Sequence, residues 1–314
     1  MNKPEFEEPD CQVLAKQESE HQVWPDDRHT DQVTAQKNSS YPHGYNKKLF
    51  LVDLICILLV FIPFFLCEAN IVDPIHVGFY CEDNSIKYPL KVPTIDKTIL
   101  ACTGLFISIT SIILGELQWL RFQELTSPML LSSTYMTMIY RELSAFFFGV
   151  TVNQSFTSIV KIFTGRLRPN FLDVCQPAYL QCKIGYITNY TCTGDPTEVS
   201  RARKSFFSGH AAFSMYCVIY LMLYLQARMI WKGSKWLRLM LQTILLPLPL
   251  VVGYFGVQNY WHHFSDVFAG FLQGLITALW VVFLISDIFS SEKCLSSGSS
   301  SCSENQDSSE QTSC

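Results

Sequence analysis

The chain has 314 residues, 49% apolar and 16% charged, with a formal net charge of -4. So few charges on so apolar a chain exclude an ordinary soluble surface, and no basic patch marks a nucleic-acid partner; the balance suits a polytopic membrane protein. The charges crowd the two tails and the links, and nearly vanish from the apolar runs.

Residues 1–46 are polar, carry no apolar period and read as a disordered cytosolic tail. No apolar core follows the start, so this is not a signal peptide. The first apolar run covers 49–66, long enough to cross a bilayer, and Lys47-Lys48 before it keep the N-terminus cytosolic. Asp53 inside that run sits either at the interface or in a buried polar contact. A polar link follows, and the second span covers 98–117. Arg121 and Arg141 mark the ends of a cytosolic link, and the third span covers 143–163. Asn153, Gln154, Ser155, Thr157 and Ser158 on that span predict packing against other helices, or a water-filled site, in place of lipid.

The link 164–207 is the longest internal one and carries the sequon Asn189-Tyr190-Thr191, a glycosylation acceptor if it faces the lumen. Asn38-Ser39-Ser40 also fits the pattern, but on the cytosolic tail it is expected to be silent. The fourth span covers 209–227. Arg228, Lys232, Lys235 and Arg238 after it form the clearest positive-inside signal. The fifth span covers 239–257, where Pro247 and Pro249 predict a kink or a broken helix. The sixth covers 264–289. Residues 290–314 are serine-rich and read as a second disordered cytosolic tail, with Cys294 near enough to the membrane for palmitoylation.

The fold class is therefore all-α: six transmembrane helices over 47–289, with both termini cytosolic. Of the twelve cysteines, Cys56, Cys102 and Cys217 lie in apolar runs and read as small buried hydrophobes. Cys81, Cys175, Cys182 and Cys192 lie in polar links and can form disulfides if lumenal, in a pairing the spacing leaves open.

This topology puts three polar groups on one membrane face: Lys161 with Arg168-Pro169, Ser208-Gly209-His210, and His262 with Asp266. Such groups suit a phosphate ester. Lys161 and Arg168 are about two helical turns apart and share a face if the helix continues. An arginine fork makes bidentate phosphate contacts. Ser208-Gly209 opens a helix whose free N–H groups attract an anion, and His210 in the first turn can protonate a leaving alkoxide. Asp266, four residues after His262, can hold the imidazole in one tautomer and leave its other nitrogen free to attack phosphorus. Taken singly, Lys161 and Arg168 also read as interfacial anchors, His210 as a helix-start residue, and His262-His263-Asp266 as a metal site.

At these positions the chain resembles the lipid phosphate phosphatases of the type-2 phosphatidic acid phosphatase superfamily, whose signature is Lys-x6-Arg-Pro, Pro-Ser-Gly-His and Ser-Arg-x5-His-x3-Asp. The first part is complete from Lys161 to Pro169, the second reads Phe207-Ser208-Gly209-His210, and the third keeps His262 and Asp266. Gly78-Phe79-Tyr80-Cys81, Ile86-Lys87-Tyr88-Pro89 and Tyr224-Leu225-Gln226-Ala227-Arg228 extend the similarity over 47–289. The third part departs: Phe255 and Gly256 stand where Ser-Arg is expected, and Trp261 where the family is often basic. The resemblance implies an extracellular or lumenal active site and no metal or other cofactor. It implies His262 as nucleophile, Asp266 as its partner, His210 as general acid, and Lys161, Arg168, Ser208 and Gly209 as phosphate-binding residues. The substrates it implies are phosphatidate, lysophosphatidate, ceramide 1-phosphate or sphingosine 1-phosphate, at the plasma membrane by default or at endomembranes. A homo-oligomer is left open. The rival reading is a silent homologue that binds lipid phosphates or partner proteins, motivated by Gly256.

Overall fold

A computed structural model describes residues 47–80, 82–122, 128–178, 185–229, 235–286 and 288. They fall in one compact unit, Gly44–Phe289. The tails, with Asn38 and Cys294, and Cys81, Cys182 and Lys232 lie outside the described residues.

Six stretches of helix are long and apolar enough to cross a membrane: Phe50–Glu68, Lys97–Trp119, Met136–Thr164, Gly209–Arg228, Lys235–Gln258 and Phe264–Leu284. They belong to α1 (Lys47–Glu68), α2 (Lys97–Phe122), α3 (Pro128–Thr164), α6 (Gly209–Arg228), the pair α7 (Lys235–Leu245) and α8 (Pro247–Gln258), and α9 (Phe264–Leu284). The fifth span is broken as its prolines predict, because Pro247 has no N–H for the preceding turn and so starts a helix of its own.

Two boundaries differ from expectation. Helix α3 starts at Pro128, well before the apolar run, so Arg141 lies inside a helix and does not mark its start. No glycine or proline follows Pro128 before Leu143, so nothing stops the helix where hydropathy does. The last helix ends at Leu284, short of 289, and Ser286 beyond it donates to Glu142 Oε2 (2.9 Å).

Helix α6 is the central column and packs most extensively on α9, and also on α2, α3 and α8. Tyr216, Tyr220 and Tyr224 recur every four residues on it and are fully buried. Their hydroxyls donate to the carbonyls of Phe146 (2.9 Å), Glu142 (3.3 Å) and Ile112 (3.0 Å) on the flanking helices. At the far end of α6 the buried Arg228 guanidinium reaches Glu116 (2.8 Å) and Glu142 (3.4 Å). Against α9 the contact is backbone-close: a Cβ on Gly270 would lie 2.6 Å from the Ser208 carbonyl oxygen, and one on Gly274 2.3 Å from that of Ala212. Only glycine allows that approach, which brings the start of α9 to the start of α6.

The polar residues of the third span behave as predicted. Asn153, Ser155, Thr157 and Ser158 are buried, and the Ser155 hydroxyl donates to the Val60 carbonyl across the α1–α3 contact (2.5 Å). Asp53 is exposed on α1 and accepts from the Tyr140 hydroxyl (2.6 Å).

The described residues of the link after α3 form a structure of their own. It holds α4 (Phe171–Cys175), α5 (Pro196–Ala202) and a strand, β2 (Tyr186–Ile187), that pairs antiparallel with β1 (Phe79–Tyr80). Phe79, Ile86, Leu167, Phe171, Val174 and Val199 form a small core of their own there. A Cys175–Cys192 disulfide ties α4 to the segment between β2 and α5. Asn189 beside it is exposed.

Candidate active site

Each polar group singled out in the sequence lies at the end of a helix, and the fold gathers those ends at one side of the bundle. Lys161 is in the last turn of α3. The helix stops at Thr164, and Gly165 turns the chain at φ +55°, with room for no Cβ beside the Ile75 carbonyl. Lys161 and Arg168 therefore do not share a helical face, as the spacing suggested. The turn brings Arg168 round, and its backbone N–H donates to the Ala202 carbonyl (2.9 Å).

Arg168 is only 7% exposed, and its Nε has no hydrogen-bond partner. Its guanidinium lies over the Trp261 ring at 4.9 Å. Burial first, and then the charge of Arg201, push its pKa down to about 10, so it remains a cation at neutral pH. A buried cation with an unmet donor is a site prepared for an anion.

Ser208 caps α6, its hydroxyl accepting from the Ala211 N–H (3.4 Å). The Ser208 N–H donates to the Asp266 carbonyl (3.0 Å), which links the starts of α6 and α9. Gly209 lets the Lys161 ammonium approach: a Cβ there would stand 3.2 Å from Nζ. His210 follows in the first turn.

His262 lies in the turn between α8 and α9 and is 5% exposed. Its Nδ1 is 2.9 Å from the Ser205 carbonyl oxygen and 4.0 Å from Asp266 Oδ2. The hydrogen bond that orients this ring is thus made by a backbone carbonyl, where the sequence pointed to the carboxylate. An Nδ1–H donated to that carbonyl leaves Nε2 with its lone pair free. Burial, Arg168 and Lys161, in that order, hold His262 well below the ordinary histidine pKa, so the ring is neutral at pH 7.

Asp266 acts one residue further back. It is fully buried and accepts from the Ser205 hydroxyl (2.6 Å), the His263 N–H (3.1 Å) and an Arg166 guanidinium N–H. It therefore fixes Ser205, whose carbonyl fixes His262, and it caps α9. Ser205 and Arg166 were not singled out in the sequence. Arg166 was hidden as one of several cations in its segment, and a role carried by a backbone carbonyl leaves no side-chain signature.

Lys161, Arg168, Ser208, His210 and His262 line one cavity of about 290 Å³. Its wall includes Phe64 of α1 and Val252 and Phe255 of α8, so charged and apolar surfaces meet within it. Gly256 also lines it, and a Cβ there would meet only His262 Cδ2 at 3.9 Å and Val267 Cγ2 at 4.0 Å. Among the described residues no group of three or more His, Cys, Asp or Glu is arranged to hold a metal ion.

A family model described as the PAP2 superfamily matches residues 142–289. The chain is 41% identical over 241 residues to phospholipid phosphatase 1 of Rattus norvegicus, covering 76% of this chain and 85% of that protein. It is 41% identical over 244 residues to phospholipid phosphatase 2 of Mus musculus (77% and 87%) and 39% identical over 241 residues to phospholipid phosphatase 2 of Homo sapiens (76% and 83%). No solved structure gives a significant match.

Proposed function

The chain belongs to the phospholipid phosphatase family of the PAP2 superfamily, and from that membership we propose that it hydrolyses the phosphomonoester of a membrane lipid. The observation that carries the reading is the meeting of His262, His210, Lys161 and Arg168 in one cavity that also has apolar walls. A headgroup and the start of an acyl or sphingoid chain need both surfaces. Phosphatidate, lysophosphatidate, ceramide 1-phosphate and sphingosine 1-phosphate share that chemistry.

In the reaction we propose, Lys161, Arg168 and the N–H groups at the start of α6 hold the phosphoryl oxygens. His262 Nε2 attacks phosphorus while the ester oxygen leaves with a proton from the His210 imidazolium. Water then cleaves the phosphohistidine, giving its proton back to His210 and releasing inorganic phosphate. The positive charge that stabilises the transferring group comes from side chains, and no step calls on a metal. The Cys175–Cys192 disulfide supports an extracellular or lumenal face for this chemistry, since such bonds persist in oxidising compartments. The exposed sequon at Asn189 supports the same face.

The test is metal-free phosphate release from phosphatidate in detergent micelles. His262→Ala should lose at least about 1,000-fold. Equal release by parent and variant would reject the mechanism. Gly256, on the cavity wall where the family expects an arginine, is the one observation that favours a silent lipid-phosphate binder. A parent at background that gains strongly from Gly256→Arg would support that alternative.

A further inference from the structure

Five cations line the cavity: Lys97, Lys161, Arg168, Arg201 and Lys204. Two of them are neutralised in place. Lys97 pairs with Glu68, and Arg201 with Glu198 (2.6 Å). Among the described residues, none of the other three is in ion-pair contact with a carboxylate. Lys161 and Arg168 belong to the phosphate-binding set above. Lys204 remains, a side chain for which the proposed reaction has so far no use.

Lys204 is 7% exposed. Its ammonium donates to Asn70 Oδ1 (2.9 Å) and to the Cys67 carbonyl (3.2 Å), both neutral. An ammonium has three donors, so one is left over. A buried charge with only neutral partners is costly unless an anion completes its surroundings. Lys204 also directly precedes Ser205, whose carbonyl orients His262. Its backbone is held in place by a hydrogen bond from its N–H to the Arg201 carbonyl (3.2 Å).

Position 256, where the family signature has an arginine, supplies the cavity with no cation. Gly256 lines it, a Cβ there would make only ordinary contacts with His262 and Val267, and α8 places no charge there. We propose that Lys204 is the third phosphate-binding cation of this cavity, contributed by the segment between α5 and α6 in place of a side chain at position 256. This inference deepens the phosphatase reading and rests on it for the identity of the anion. The competing account is purely structural: Lys204 tethers the C-terminal carbonyls of α1, and loses nothing but stability when replaced.

The experiment uses the purified full-length chain in detergent and two readouts, the Kd for inorganic phosphate and phosphate release from phosphatidate. The proteins are the parent, Lys204→Met, and Lys204→Met with Gly256→Arg. Lys204→Met should weaken phosphate binding and lower kcat/KM by about 10- to 100-fold each, the worth of one charge-assisted contact. Adding Gly256→Arg should recover at least about tenfold of both, because a charge returns to the cavity without restoring the tether to α1. Parent-like phosphate affinity in Lys204→Met would overturn the proposal. So would a double variant that recovers nothing, with both variants melting equally below the parent, which is the structural account. A parent with no more turnover than His262→Ala would instead reject the phosphatase reading, and the phosphate Kd would still decide the role of Lys204.

Discussion

Replacing Ser205 with alanine separates the two ways Asp266 could serve His262. The Ser205 hydroxyl sits 2.6 Å from Asp266 Oδ2, and both residues are fully buried. A hydrogen bond to a charged, buried acceptor contributes about 1.5–3 kcal/mol. Asp266 keeps its bonds from the His263 N–H and Arg166, so no more than that one contact is lost. For a unit of this size the melting temperature should fall by about 3–12 °C. The Ser205 N–H still donates to the Arg166 carbonyl (3.0 Å), so the backbone loosens without collapsing. The carbonyl that orients His262 then wanders by a fraction of an ångström, and kcat should fall by about 10- to 100-fold. Asp266→Asn, which weakens the same anchor, should reduce kcat by a similar factor. The assays are thermal unfolding followed by tryptophan fluorescence, and phosphate release at saturating phosphatidate. A silent Ser205→Ala beside an Asp266→Asn that loses about 10,000-fold would refute the relay and make the carboxylate a direct partner of His262.

Three further outcomes follow from the same geometry. His262 is held neutral in the fold but titrates near 6.5 when unfolded, so below that pH the unfolded chain takes up a proton that the native chain refuses. Stability should therefore fall with pH at up to about 1.4 kcal/mol per unit, and His262→Gln should flatten the melting profile between pH 7 and 5; equal slopes would contradict it. Arg168→Lys removes both the fork and the stacking on Trp261, and should cost about 10- to 100-fold in kcat/KM although the charge is kept; parent-like kinetics would show that a point charge suffices. Cys175→Ser with Cys192→Ser opens a link across 17 residues and should cost about 3 kcal/mol, read as a lower melting temperature that reducing agent reproduces in the parent.

The helices and the site were legible to different depths. Apolar runs mark all six spans, because a helix that crosses the bilayer has to be predominantly apolar over roughly its thickness. They fail at the start of α3, because a helix does not end where hydropathy does. The break at Pro247 was legible because it is local chemistry. The motif residues were legible as types and as helix ends on one face. Their mutual geometry was not: the turn at Gly165 moved Arg168 off the helix of Lys161, and the ring of His262 found a carbonyl 57 positions away in the chain. Lys204 was invisible for a related reason. The role proposed for it rests on what it lacks, an ion-pairing carboxylate, and spacing along the chain carries no record of that.

Helix α6 carries the candidate acid His210 at one end and the buried Arg228 ion cluster at the other, about 27 Å away along the axis. Between them three tyrosine hydroxyls tie it to its neighbours along its length. Close-packed interiors pass strain along instead of dissipating it. A displacement at the Arg228 end is therefore expected to reach the His210 end as movement of the whole helix. On that expectation the bilayer bears on the candidate site through the far end of α6, and not only by surrounding it.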